Sequence, residues 1–434
     1  MGTLSVDKIL KTSTGAAAFT LPATDGTAGQ AWISDGSGQL SVGEVTAAGI
    51  ATDAVGTSEI AANAVDTSEI AANAVTPAQM ANSAFTANRN ILINGAMQIA
   101  QRATSVVSVD STPAYCVDRM RCYERGAGAA TWSQTTTVPS GEGFGNSLRW
   151  DVTTVDSSLA SNDLYILDQN IEGQDLQQLK KGTASAESVT VSFWVRSTKT
   201  GTYIHQLVDE DNNRHICKAY TISVADTWEY KTLTFAGDTT GALDNNNTGS
   251  LRFRWYLAAG TDYTSGTLAT SWATQTTANR AVGQVNFFDS TSNDFYITGM
   301  QVELGITATP YEHKRFGQEL AACQRYFNKT FNYATAVANG AGHTWAGALG
   351  WDTRITTQSA NVNWQYPVAM RALPTGTLYN TRTGGAAGQW TTGGSDSANA
   401  RFLTTSETTC FIDNTGTTLG AASWGIWATA DAEI

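Results

Sequence analysis

The sequence predicts an all-β chain, in which short strands and tight turns form several β units along an elongated homotrimer. Glycine accounts for 40 of the 434 residues and charged residues for only 15%, a composition typical of strands and turns rather than of helices. Apolar and polar residues alternate in many short segments. In VTVSFWVRS, for example, Val189, Val191, Phe193 and Val195 share one face.

A ten-residue repeat near the N-terminus predicts the oligomer. Within it a large apolar residue recurs every five positions: Ile50, Val55, Ile60, Val65, Ile70, Val75, Met80 and Phe85. A spacing of five scatters these side chains around a helix and onto both faces of a strand, so one chain cannot bury them alone. A flexible, alanine-rich linker is the alternative, but a linker does not need large apolar residues at fixed spacing. We therefore predict that residues 46–85 form a thin three-fold shaft.

Charge and cysteine content exclude several partners. The formal net charge is −12, and residues 1–85 carry half of it, with eight acidic residues and two lysines. Because the chain has no basic cluster, nucleic acid and anionic membranes are unsuitable partners. No apolar run approaches the roughly 18 residues that a membrane span needs, so no membrane insertion is expected. The five cysteines form no CxxC pair and should be small buried apolar residues, which favours assembly in a reducing cytoplasm.

The remaining segments divide into four parts. Residues 1–45 should form a small β unit with a hairpin turn at 35–38. Residues 86–315 should form a jelly roll or β-sandwich. Residues 316–330 read as one helix, with Leu320, Cys323 and Phe327 on one stripe. That helix could be a seam between three chains or could close the sandwich. Residues 331–434 should form a distal β domain, which holds six of the 13 tryptophans.

No motif for catalysis, a cofactor or a metal is present. The four histidines have no metal-ligand spacing, and the triplet Asp209, Asp211, Asn213 is better explained by a turn than by a calcium loop. Glycan hydrolysis needs two carboxylates about 5–9 Å apart. The candidates are Asp118, Glu172, Asp238 and Glu303, but the sequence brings no two of them together. We therefore expect a chain without enzymatic activity.

Aromatic residues offer candidates for sugar binding, because a sugar ring stacks on an aromatic face. Trp390 lies in the polar, glycine-rich segment 381–400, which reads as a long loop or a glycine-rich hairpin tip, and Arg382 lies near the start of that segment. For Trp390 the sequence supports core packing and exposure equally, and we take exposure with a binding role as the hypothesis. Trp345 and Tyr379 are further candidates in the same domain. Three other tryptophans lie in apolar alternation and are predicted to be core residues: Trp194, Trp255 and Trp364.

Several motifs together resemble bacteriophage tail-fibre proteins. They are LPATDGTAGQAWISDGSGQLSV, the decads with IAANAV and TSE, NILINGAMQIAQR, YCVDR, TVSFWVRS, TWEYKTLTFAGDTTG and ITGMQVELGITATPYEHKRFGQELAACQRYF. In that family the block equivalent to residues 86–315 is a β-sandwich similar to carbohydrate-binding modules. One departure is Met120, which stands where the family often has tryptophan.

The resemblance implies a structural protein of the virion. Its N-terminus would attach to other tail proteins, and its C-terminal domain would bind a glycan or an outer-membrane receptor on the host surface. It would be found in the virion after assembly in the host cytoplasm. Two alternatives are a fibre on the capsid or tail tube and a polysaccharide depolymerase.

Overall fold

A computed structural model describes the chain in ten stretches. These are residues 8–9, 19–20, 30–34, 40–43, 88–340, 346–352, 361–391, 395–404, 406–414 and 423–434. They belong to two compact units, Met1–Gln79 and Met80–Ile434. The predicted shaft of residues 46–85 and the candidate Trp345 lie outside the described residues.

The N-terminal unit contains two short antiparallel pairs of strands. Strand β1 (Lys8–Ile9) pairs with β2 (Phe19–Thr20). Strand β3 (Ala31–Ser34) pairs with β4 (Leu40–Gly43), with Ala31 opposite Gly43. This antiparallel pairing is the one expected of the predicted hairpin, whose turn at 35–38 lies outside the described residues.

Two six-stranded antiparallel sheets form a sandwich in the second unit. The first sheet contains β5 (Ser105–Val107), β7 (Ala129–Thr135), β8 (Ser147–Thr154), β10 (Val189–Ser197), β13 (Glu229–Phe235) and β16 (Asp294–Leu304). Its strand order is β13-β10-β16-β8-β7-β5. The second contains β6 (Arg121–Arg125), β9 (Leu164–Glu172), β11 (Gly201–Asp209), β12 (Arg214–Ile222), β14 (Gly249–Ala259) and β15 (Ala273–Thr274). Its order is β15-β12-β11-β14-β9-β6. The predicted all-β sandwich is confirmed.

The core lies between the two sheets and follows the alternation in the sequence. In β10 the predicted set Val189, Val191, Phe193 and Val195 is buried, and it packs with Trp255 of β14. Phe193 and Trp255 meet edge to face, with ring centroids 5.8 Å apart. Burial of each large apolar side chain stabilises the fold by about 1.5–3 kcal/mol relative to leaving it exposed, and this burial holds the two sheets together. All five cysteines are buried and free, as predicted.

Two α-helices occur in the described part of the chain: α1 (Thr261–Thr264) and α2 (Phe316–Gln324). Helix α2 is shorter than the predicted 316–330, because the side-chain amide of Asn328 caps the carbonyl of Gln324 at 2.7 Å and the chain then enters a strand. The helix packs on its own sandwich, where buried Glu319 accepts the backbone N–H of Asn94. Neither described helix is long and apolar enough to cross a membrane.

The C-terminal part is a second β domain organised around the last strand. Its strands are β17 (Phe327–Lys329), β18 (Leu349–Asp352), β19 (Asn361–Gln365), β20 (Thr375–Tyr379), β21 (Gln389–Thr391), β22 (Asp396–Thr404), β23 (Thr409–Asn414) and β24 (Ser423–Asp431). Strand β24 pairs with β17, β18, β20 and β21. Ion pairs then join this domain to the sandwich: Arg102 contacts Asp431 at 3.0 Å, and buried Arg119 contacts Glu433.

Candidate functional site

An open cleft lined by aromatic rings lies on the outer face of the first sheet. Its volume is about 570 Å³. Five ring-bearing residues line it: Phe144, Trp194, Tyr230, Tyr311 and His313. We call this site the aromatic cleft. Its size falls in the range of about 300–1,000 Å³ that is usual for small-molecule sites.

The pleat of β10 explains why Trp194 and Tyr230 face outward. Phe193 and Val195 fill the core, so Trp194 between them points to the opposite face. Tyr230 of β13 is its direct cross-strand partner, and the two ring centroids are 5.3 Å apart at 48°. Trp194 is half-buried and Tyr230 is 44% exposed, so the pair presents aromatic surface to solvent.

A β-bulge beside this pair makes room for a third ring. Ser192 of β10 pairs with Gln301, but Trp194 pairs with Thr298, so two residues of β16 stand opposite one residue of β10. One of the two is Gly299, with φ of 60°. A Cβ at this position would lie 2.6 Å from the ring of Phe144, so the glycine is needed for Phe144 to line the cleft.

The segment that follows β16 forms the other wall. Buried Glu303 accepts two hydrogen bonds from Thr309, from its backbone nitrogen at 2.8 Å and from its hydroxyl at 2.6 Å. The side-chain oxygen of Gln301 accepts the backbone N–H of Glu312 at 2.8 Å. These bonds hold the segment against the sheet and present Tyr311 and His313, whose rings lie 5.1 Å and 5.3 Å from Phe144.

The walls of the cleft are mostly uncharged at neutral pH. Burial lowers the pKa of His313 below its usual 6.5, so the imidazole is neutral at pH 7. Burial also raises the pKa of Tyr311 above 10, so its hydroxyl remains a hydrogen-bond donor. Glu142 is the one acidic residue among the described residues that line the cleft. Aromatic surface with a few polar groups suits a neutral, hydroxyl-rich ligand.

The expectation that Trp390 is exposed on a loop is wrong. Trp390 is fully buried in strand β21, and its indole nitrogen donates to the carbonyl of Asp413 at 3.2 Å. It packs in the core of the C-terminal domain with Ile412 and Trp424. The glycine-rich segment before it makes a turn, and the neighbouring strands supply the apolar contacts that its own segment lacks.

The other predicted receptor residues have partners within the chain. The ring of Tyr379 lies 5.5 Å from Phe331, edge to face. Arg382 donates two hydrogen bonds to Asp396, at 3.0 Å and 2.8 Å, and these lower the pKa of that carboxyl well below 3.8. Receptor binding by Tyr379 and Arg382, and by Trp345 outside the described residues, stays a prediction.

The four candidate carboxylates are buried in separate hydrogen-bonding arrangements. None of them lines the aromatic cleft. Their partners are Gln101 for Asp118, Arg325 for Glu172, Arg214 for Asp238 and Thr309 for Glu303. The triplet that begins at Asp209 is a turn, as predicted, because Asp209 accepts the backbone N–H of Asn212 at 3.0 Å between β11 and β12. No group of metal-ligating side chains occurs among the residues that the structure describes.

Sequence reasoning missed the cleft because it assigned Trp194 to the core. The tryptophan lies in an apolar run, but it is separated by an odd number of residues from Val191, Phe193 and Val195, which are all buried. In a strand, residues at odd spacing point to opposite faces. That parity is the signal that could have placed it on the outer face. Tyr230 shares this signal, since Leu233 and Phe235 of the same strand are buried with the opposite parity.

Neither family models nor curated proteins provide a match. No family model matches the sequence. Among curated proteins none matches it.

Solved structures show weak similarity. The enzymatically active domain of tailspike protein 4 of bacteriophage CBA120 has a TM-score of 0.27 at 13% identity, over 50% of this chain and 21% of that chain. The module TmCBM61, in complex with β-1,4-galactotriose, has a TM-score of 0.26 at 11% identity, over 50% of this chain and 99% of the module. A family 11 carbohydrate-binding module from Clostridium thermocellum has a TM-score of 0.24 at 11% identity, over 49% of this chain and 99% of the module. At scores this low, the ligand of this chain has to be inferred from its own residues.

Proposed function

We propose that this protein binds glycan through the aromatic cleft. The observation that carries the proposal is the cross-strand pair of Trp194 and Tyr230, which presents two aromatic faces at the floor of an open cavity. The core is already filled from the other face of these strands, so packing between the sheets does not require aromatic residues at the two outward positions. A pyranose ring placed on Trp194 would bury its C–H face there.

The polar groups of the cleft can then fix the orientation of the sugar. The carboxylate of Glu142 can accept hydrogen bonds from sugar hydroxyls, and Ser192 and Thr309 are further polar residues of the same lining. Each aromatic contact contributes about 0.5–1.5 kcal/mol beyond its buried area, so one cleft binds weakly. Several clefts on one assembly would strengthen attachment through effective concentration.

Replacing Trp194 with alanine is expected to abolish binding of neutral oligosaccharides while leaving the melting temperature nearly unchanged. The ring is half-buried on the outer face and is not part of the core, so its removal takes away the stacking surface without opening a cavity between the sheets. Binding is measured by calorimetry with a panel of neutral oligosaccharides that includes β-1,4-galactotriose.

Trp228→Ala is the matched control. Trp228 is also a half-buried tryptophan beside the same sheet, but it packs against Tyr296 and does not line the cleft. Loss of oligosaccharide binding in the Trp228 variant but not in the Trp194 variant would refute the assignment of the site. Binding of no member of the panel by the unmodified protein would count against the function itself.

We also infer that the chain is a tail fibre of a bacteriophage, a homotrimer that resides in the virion after assembly in the host cytoplasm. The support is the set of fibre-like motifs along the sequence and the decad repeat of residues 46–85. In this arrangement residues 1–45 attach to other tail proteins and the glycan-binding parts face the host surface. The protein acts as a binder without enzymatic activity, with a depolymerase or a fibre on the capsid or tail tube as alternatives.

The unmodified protein is expected to have a solution mass of three chains of 46.0 kDa each. Changing both Ile60 and Ile70 to aspartate should separate the chains, because each unpaired buried charge costs several kcal/mol. Light scattering after size-exclusion chromatography measures both masses. A folded monomer of the unmodified chain contradicts the trimer, and shortening of host surface glycan by the purified protein would favour the depolymerase.

A further inference from the structure

A second cavity lies on the outer face of the other sheet, and its lining is polar. Its volume is about 320 Å³. Val208 of β11 and Arg254 of β14 contribute from the sheet, and Gln275 and Arg280 contribute from the segment that follows α1. Helix α1 and that segment together cover the apolar half of the same face, where Tyr263 of α1 and Ala281 pack on Tyr256. The cavity remains over the polar half, and we call it the guanidinium pocket.

Arginine outnumbers acid around this pocket. Buried Asp168 is the shared partner of three guanidinium groups: Arg121 at 2.7 Å, Arg254 at 3.1 Å and Arg252 at 3.8 Å. Glu210 pairs with Arg252 at 3.0 Å. The side chain of Arg280 forms no ion pair or hydrogen bond with any residue that the structure describes, its Nε is buried, and its guanidinium carbon lies 6.0 Å from the ring centroid of Tyr263. Four arginines therefore face two carboxylates.

The remaining charges near the pocket balance each other. Asp209 also lines it, but its carboxylate contacts buried Lys181 and accepts a hydrogen bond from Asn212. Lys181 contacts Asp238 as well, and Asp238 pairs with Arg214 at 2.7 Å. These two bases and two acids are neutral as a group, so the positive excess of the pocket is not cancelled from that side.

The electrostatic state of neighbouring groups agrees with an uncompensated positive charge. Burial lowers the pKa of Arg280, and the charge of Arg254 lowers it further. Burial and the charge of Arg280 lower the pKa of His215 to about 4. The Nδ1 of this neutral histidine lies 2.9 Å from Gln206, and its Nε2 is buried without a partner among the described residues. Arginine is the side chain best suited to carboxylate and phosphate, because its fork can donate two parallel bonds.

We propose that the guanidinium pocket binds the anionic group of an acidic saccharide residue, with Arg280 and Arg254 as the donors. Arg254 is 7% exposed, its Nε is held by Asp168 and its guanidinium is also hydrogen-bonded to the side chain of Tyr256, so only the rest of its five N–H donors is available to a ligand. The pocket is larger than a small inorganic anion requires. Its amide side chains, Asn213 and Gln275, can reach the hydroxyl groups of a sugar. The pocket lies on a different sheet from the aromatic cleft, and the inference does not depend on the cleft.

The test is calorimetry on the full chain with three probes at constant ionic strength: galacturonate, galactose and inorganic sulfate. Galacturonate should bind and galactose should not, because the two differ in the carboxylate. Arg280→Gln should weaken galacturonate binding by about tenfold or more, the value of a charge-assisted hydrogen bond. Arg280→Lys should weaken it less, since it retains the charge but not the fork.

Arg401→Gln is the matched control, because it also removes one arginine charge but from an exposed pair with Asp413 in the other domain. It should leave galacturonate binding unchanged.

If Arg280→Gln does not fold, the melting temperature of the unmodified protein provides the test instead. Galacturonate should raise that melting temperature and galactose should not. Equal binding of galacturonate and galactose, or an unaffected Arg280→Gln variant, overturns the proposal. Sulfate binding as tight as galacturonate overturns the assignment to a saccharide. Neutral oligosaccharides should still bind the Arg280→Gln variant, which separates this test from that of the cleft.

Discussion

Replacing Trp390 with alanine is expected to destabilise the C-terminal domain by about 3–5 kcal/mol, because it deletes a fully buried indole and leaves a cavity. The hydrogen bond from the indole nitrogen to the carbonyl of Asp413 is lost as well. In a domain of about 100 residues this corresponds to a fall in melting temperature of about 10 °C or more. Calorimetric melting of the full chain measures it.

Phe411→Ala is the control for Trp390. Phe411 lies in β23 of the same domain and is 37% exposed, so its truncation should cost far less. The loss of stability of Trp390→Phe should lie between those of the two alanine variants, because phenylalanine keeps most of the packing but has no N–H to donate. If the Trp390→Ala variant has the same melting temperature as the unmodified protein, the indole is exposed in solution, and the loop that the sequence predicts would then be correct.

The sequence could predict the strands because each carries its own pattern. Val189, Val191, Phe193 and Val195 alternate with polar residues, and the side of the sheet they occupy follows from the pleat alone. Trp390 has no such pattern, because its neighbours are glycine, glutamine and threonine. Its burial comes in part from later strands, β23 and β24, whose core residues follow it by 20 residues or more, and no local feature of the sequence records that contact.

The cleft was beyond the sequence for a different reason. Its rings come from four separate segments, at Phe144, Trp194, Tyr230 and the Tyr311 to His313 stretch. They meet because β10 lies between β13 and β16, an order that does not follow the order of the chain. The bulge at Gly299, which admits Phe144, is a property of the pairing and cannot be read from the single glycine.

The guanidinium pocket depends on strand order in the same way. Arg121, Asp168 and Arg254 lie on β6, β9 and β14, which are adjacent in the second sheet. Arg121 stands directly opposite Asp168, and so does Arg254 from the other side. In an antiparallel sheet, directly opposed residues share a face, so the register alone brings these three charges together on the outer surface.

Replacing Asp168 with asparagine is expected to destabilise the sandwich by about 3–5 kcal/mol, the usual cost of removing one partner from a buried ion pair. Three guanidinium groups would remain at the site without the carboxylate that they share. Asparagine has nearly the same shape, so the loss reports charge rather than packing. Denaturant unfolding at pH 7 measures it.

The pH dependence of this loss follows from the pKa of Asp168. Burial alone would raise that pKa, but the hydrogen bonds and charge of Arg121, followed by the charges of Arg254 and Arg252, bring it well below 3.8. A carboxyl with a lowered pKa stabilises the fold at every pH above its unfolded value, and the contribution is lost only as the pH falls toward the folded value. The difference in free energy of unfolding between the unmodified protein and the Asp168→Asn variant should therefore be constant from pH 5 to 8, within about 0.5 kcal/mol, and should shrink below pH 4.

Asp226→Asn is the control. It removes an exposed partner of Arg196 and should lower the free energy of unfolding by less than about 1 kcal/mol at any pH. If Asp168→Asn lowers the free energy of unfolding by no more than this control, the three arginines are hydrated well enough to be stable without the carboxylate. The positive excess assigned to the guanidinium pocket would then also be too small to bind an anion.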